Sequence, residues 1–74
     1  MTGLPVVSGS QCILALQRLG YTITRIRGSH VRLNCPGRNP VTVPNHTEVD
    51  KGTLGNILRT VNINIDEFKN LLKK

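Results

Sequence analysis

Tyr21-Thr22-Ile23-Thr24-Arg25-Ile26-Arg27-Gly28-Ser29-His30-Val31-Arg32-Leu33-Asn34-Cys35 is the stretch on which the fold turns. Its first part, Tyr21 to Ile26, is dense in β-branched residues and reads as a strand. His30 to Asn34 alternates polar and apolar, the mark of a half-buried strand. Arg27-Gly28-Ser29 between them is a turn, so the two strands form an antiparallel hairpin. A two-residue loop pairing Ile26 with Ser29 would put Ile23 and Val31 on opposite faces. A three-residue loop pairs Ile26 with His30 and Ile23 with Leu33, and gathers Tyr21, Ile23, Val31, Leu33 and Cys35 on one buried face. One residue of slip flips every side chain, so the core selects the second register. His30 and Arg32 then stand on the open face, with Thr22, Thr24, Ile26 and Asn34.

Upstream, Ser8 and Gln11 form a capping box that opens a helix. Cys12, Leu16 and Leu19 lie along its apolar stripe, and Gly20 supplies the stop. Residues 1–7 read as a loose start. Downstream, residues 35–40, Cys35-Pro36-Gly37-Arg38-Asn39-Pro40, are a second turn, and Val41 to Val43 a short third strand that Pro44 ends. Leu54, Ile57, Leu58 and Val61 fit the i, i+3, i+4, i+7 pattern of a second helix over roughly 51–61, capped by Asp50 or Thr53. Asn64 and Glu67 cap a third before Ile65, Phe68, Leu71 and Leu72. The order is α-β-β-β-α-α: an α+β fold with a three-stranded antiparallel sheet and helices on one face. At 74 residues the chain is one domain, 1–74.

Charge narrows the partner. The formal net charge is +6 and the pI about 10.2. No acid precedes Glu48, whereas Arg18, Arg25, Arg27, Arg32 and Arg38 do. Such a separated field favours a polyanion, nucleic acid before membrane. Apolar runs are too short to span a bilayer, which argues against a membrane role. Cys12 and Cys35 lack zinc-site spacing and read as reduced, apolar positions in a cytoplasmic protein. Asn45-His46-Thr47 fits a glycosylation acceptor, read as accidental without a secretory signal.

No phosphate loop, nucleophile elbow or His-Glu-x-x-His occurs, so no metal or small-molecule cofactor is expected. What stands out is residues 25–32, where three arginines bracket one histidine. Arginine forks hold phosphate oxygens, and imidazole moves a proton near neutral pH. In RNA the 2′-OH is a built-in nucleophile. The candidate catalytic residue is His30. Arg25, Arg27, Ser29, Arg32 and Arg38 are the candidate RNA-binding set.

On Gly28-Ser29-His30 after a helix and a strand, the chain resembles the HicA (YcfA-like) toxins of bacterial toxin–antitoxin pairs. Residues 43–48, Val-Pro-Asn-His-Thr-Glu, then Gly52-Thr53-Leu54, Ile57-Leu58 and Ile65-Asp66-Glu67-Phe68 carry the rest of the likeness, from about Ser8 to Leu72. Gly55 stands where family members often have a basic residue. The resemblance implies a double-stranded-RNA-binding-like fold, cleavage of mRNA by His30 and inhibition by a HicB-like antitoxin. His46 falls where members often have a histidine. It reads either as a second proton shuttle opposite His30 or as a loop histidine that hydrogen-bonds the turn before the second helix. The competing functional class is a non-catalytic double-stranded-RNA-binding module, which would read 2′-OH and phosphate groups across the minor groove. A DNA-binding role ranks last, because no helix is both exposed and basic enough to fill a major groove.

Overall fold

A computed structural model describes residues 3–74. Its elements are α1 (Gly9–Leu19), β1 (Thr22–Arg27), β2 (His30–Cys35), β3 (Arg38–Pro44), α2 (Lys51–Val61) and α3 (Ile65–Lys73). The sheet is antiparallel in the order β1-β2-β3, as the α+β reading expects.

Each helix starts where its capping chemistry dictates. The Ser8 hydroxyl accepts from Gln11 N at 3.1 Å, and the Gln11 side chain accepts from Ser8 N at 2.9 Å. Asp50, rather than Thr53, caps α2 by accepting from Thr53 N. Asn64 and Glu67 close the third box. Asn62 ends α2 in the left-handed conformation (φ 62°), a stop that asparagine tolerates better than most residues.

Two cations are consumed by helix ends. The carbonyls of a last turn have no partner within the helix and carry partial negative charge. Arg38 Nη1 donates to Val61 O of α2 at 2.7 Å. Arg18 Nη1 donates to Leu71 O of α3 at 2.7 Å and to Leu72 O at 3.3 Å. Each arginine ties a distant segment to the helix it caps.

The core lies between sheet and helices. Leu16, Leu33, Leu54 and Phe68 are wholly buried, and no polar or charged side chain among the described residues is buried with them. Helices α1 and α2 sit over β3, while α3 lies against α1. The expected loose start fares unevenly. Met1 and Thr2 lie outside the described residues, but Val7 is buried and its carbonyl accepts from Val49 N at 2.8 Å.

Two local readings need correction. The second turn is only Pro36-Gly37, with Gly37 at φ 81°, because Cys35 pairs directly with Arg38. The third strand therefore starts three residues earlier than its apolar pattern marks, and a register shift before Cys35 absorbs the difference. Pro40 is tolerated there because β3 is an edge strand. The first turn is likewise a two-residue loop, Gly28-Ser29, closed by the pair Arg27–His30 and not Ile26–His30.

Candidate functional site

Strict alternation along β1 poses a problem. With Tyr21 and Ile23 facing the core, Arg25 and Arg27 would face it too. The strand resolves this with a β-bulge. Ile23 pairs with Leu33 as the core requires, but the next pair is Arg25–Arg32, then Ile26–Val31 and Arg27–His30. Thr24 is the extra residue, and its hydroxyl donates to Arg32 O at 3.4 Å. Such a bulge re-aims every side chain beyond it. Directly paired residues share a face, so Arg25, Arg27, His30 and Arg32 all stand on the open side of the sheet.

These side chains, with Thr24, Asn34 and Thr42, line an open hollow of about 490 Å³. Arg32 Nη1 donates to Thr42 Oγ1 at 3.3 Å, which holds one guanidinium over β3. All four of Arg25, Arg27, His30 and Arg32 are exposed. His30 also borders a second hollow with Thr42, Pro44, His46, Glu48, Asp50 and Thr53. It thus stands where a cationic hollow meets one that carries two carboxylates.

The hairpin tip is tied down from the other side. Ser29 O accepts from Asn45 N at 2.6 Å, and His46 Nε2 lies 3.3 Å from Ser29 Oγ. Asn45 Oδ1 accepts from Ser10 Oγ at 3.1 Å, and His46 O accepts from Gly9 N at 2.8 Å. The start of α1, the loop after β3 and the tip therefore form one hydrogen-bonded junction. It demands glycine at position 9, where a Cβ would strike Asn45 Cα and Pro44 O.

The structure brings together Arg25, Arg27, His30 and Arg32, with Ser29 and His46 beside them. It does not bring Arg38, which is held at the end of α2. His46 hydrogen-bonds a turn, but the turn is the hairpin tip and not the one before α2. Thr24, Thr42 and Asp50 join the site without being marked by a site motif, and Asn45 and Glu48 join it from the 43–48 stretch, in which His46 alone reads as a site residue. Thr24 had a signal: two arginines in phase with the core-facing Tyr21 and Ile23 announce a bulge. The contacts of Asn45 and Thr42 have no local signal, since Ser10 is 35 residues from Asn45 and Arg32 reaches Thr42 across a strand boundary.

The remaining reactive side chains point away from catalysis. Cys12 and Cys35 are both free thiols, and burial pushes Cys12 up to about 12, leaving it neutral and poorly nucleophilic. Tyr21 is raised mainly by burial, and its hydroxyl donates to Asn39 O at 2.8 Å. Among the described residues no helix is long and apolar enough to cross a membrane.

Comparison with known proteins adds one finding. A family model described as the HicA toxin of bacterial toxin–antitoxin systems matches residues 9–63. No curated protein matches the chain significantly.

Proposed function

This chain belongs to the HicA toxin family of bacterial toxin–antitoxin systems, and from that premise we propose that it is an endoribonuclease whose proton-transfer residue is His30. The observation that carries this reading is the Thr24 bulge, which sets Arg25, Arg27 and Arg32 on the same face as His30. A phosphodiester laid in that hollow would have its non-bridging oxygens held by guanidinium forks. His30 removes the 2′-OH proton, the 2′-oxygen attacks phosphorus, and the 5′-oxygen leaves with a proton from a second group or water. Products are a 2′,3′-cyclic phosphate and a 5′-hydroxyl. The nucleophile belongs to the RNA itself, so this route needs no metal-bound water.

His46 is assigned a positioning role through its contact with Ser29, the neighbour of His30. The target is mRNA in the cytoplasm. The antitoxin that the family implies is a HicB-like protein with an acidic surface, which covers His30 and its arginines. Opposite charge speeds such an encounter and rejects wrong partners.

The test is incubation of the pure protein with RNA in chelator beside His30→Ala. Cleavage with cyclic-phosphate ends is expected for the parent, and a rate lower by on the order of 10²–10⁴ for the variant. RNA that is bound but not cut would make the chain a non-catalytic binding module. Equal cleavage by the variant would remove His30 from the chemistry.

A further inference from the structure

The open sheet has two edges, and they differ. Strand β3 carries Pro40 and Pro44, which cannot donate to an added strand. Strand β1 carries no proline, so each residue of Arg25-Ile26-Arg27 keeps its backbone donor. It also projects past the helices, which sit over β3. On its helix side, Ile26 is 64% exposed, although its pairing partner Val31 is only 3% exposed. In an antiparallel ladder, hydrogen-bonded and non-bonded pairs alternate. Arg27–His30 closes the two-residue turn as a bonded pair, so the next pair leaves the N–H and C=O of Ile26 facing outward.

We propose that the segment Arg25-Ile26-Arg27 is a docking edge for a short acidic strand of the antitoxin. Added antiparallel to β1, such a strand places an apolar side chain opposite Ile26 and carboxylates opposite Arg25 and Arg27. The wanted pattern is acid–apolar–acid. A second copy of this chain is disfavoured as the occupant. Pairing centred on Ile26 would set Arg25 of one copy directly against Arg27 of the other, and like charges directly opposite destabilise a ladder. The bulge at Thr24 ends the usable edge, so the docked strand is short. Its acids reach the arginine hollow from the side, while its backbone supplies the attachment.

The inference rests on the reading that the antitoxin is acidic. Its test uses neither RNA nor cleavage, so an inert His30 would leave the result unchanged. The probe is a blocked heptapeptide of alternating glutamate and valine, titrated into the full chain and followed by amide NMR. A scrambled peptide of the same composition is the control. The alternating peptide should bind about tenfold more tightly than the scrambled one, shift the Arg25–Arg27 amides and slow exchange of the Ile26 amide. Ile26→Pro should abolish binding. Ile26→Glu, which keeps the backbone donor and the fold, should weaken it by removing the apolar contact and adding repulsion. Equal binding of both peptides, shifts confined to the helices, undiminished binding by Ile26→Glu, or self-association through β1 without peptide would each overturn the proposal.

Discussion

Arg38 and Arg18 differ from Arg25, Arg27 and Arg32 in what faces them. The first pair donate to main-chain carbonyls at the ends of α2 and α3. The other three share the open side of a hairpin with His30. In sequence all five belong to one acid-free cationic stretch. In the fold all five are exposed, but two are tied to helix-end carbonyls and three share one face with His30. Net charge alone therefore does not say which cations converge, and placement decides that.

The sharpest way to break that division is Arg25→Glu with Arg27→Glu. The Thr24 bulge keeps both positions on the face of His30, so two phosphate-binding groups become two repelling charges. RNA binding should fall by on the order of tenfold or more. A folded double variant with full RNA binding would dissociate the bulged segment from the site.

Arg27→Ala with Arg32→Ala is the gentler version. Each arginine withdrawn from a single-strand phosphate lowers the salt slope by about 0.7, so the double variant should show a slope shallower by about 1.4. Its melting temperature should not change. Salt titration of RNA binding checks this, and an unchanged slope would place the binding charge elsewhere.

The opposite signature belongs to Arg38→Ala. Loss of a charge-assisted bond to a helix-end carbonyl costs about 1 kcal/mol, or roughly 4–8 °C in a domain of this size. RNA affinity should barely move. A large drop in binding with no drop in stability would return Arg38 to the site.

The smallest effect at neutral pH lies in the core. Cys12 has its pKa raised by burial, from 9.0 to about 12. The folded state therefore resists ionisation that the unfolded chain accepts. Stability should be full below about pH 9 and fall as pH rises toward 12. Cys12→Ala should flatten that alkaline decline, which pH-dependent melting would show. An identical alkaline profile in the variant would assign the decline to other groups, Tyr21 among them.

Much of the fold is legible in the residues alone. The helices follow from capping boxes and apolar spacing that act within a few residues of one another. The Ile23–Leu33 register follows because a buried face tolerates no slip. The tip escapes the same logic for a related reason. One register cannot describe the whole hairpin, because a bulge serves the core at one end and a two-residue turn at the other. The early start of β3 is hidden because Arg38, Asn39 and Pro40 carry no apolar alternation. Within the site, His30 and Arg32 reach the open face as their alternation requires. The destinations of Arg18 and Arg38 depend on helices packed far along the chain, which no local pattern reports.

The junction at Gly9 bears on the order in which the molecule is made. The hairpin joins neighbours in sequence, and such pairs form within microseconds. The Ser10–Asn45 bond closes 35 residues, and contacts of that separation carry a larger entropic penalty and come later. The arginines of β1 and β2 thus have their scaffold while the chain is still largely unfolded. The seat for His46 against Ser29 exists only after α1, the sheet and the loop beyond it have met. On a ribosome, a chain that has not yet emerged past residue 46 has its cations but not its finished tip.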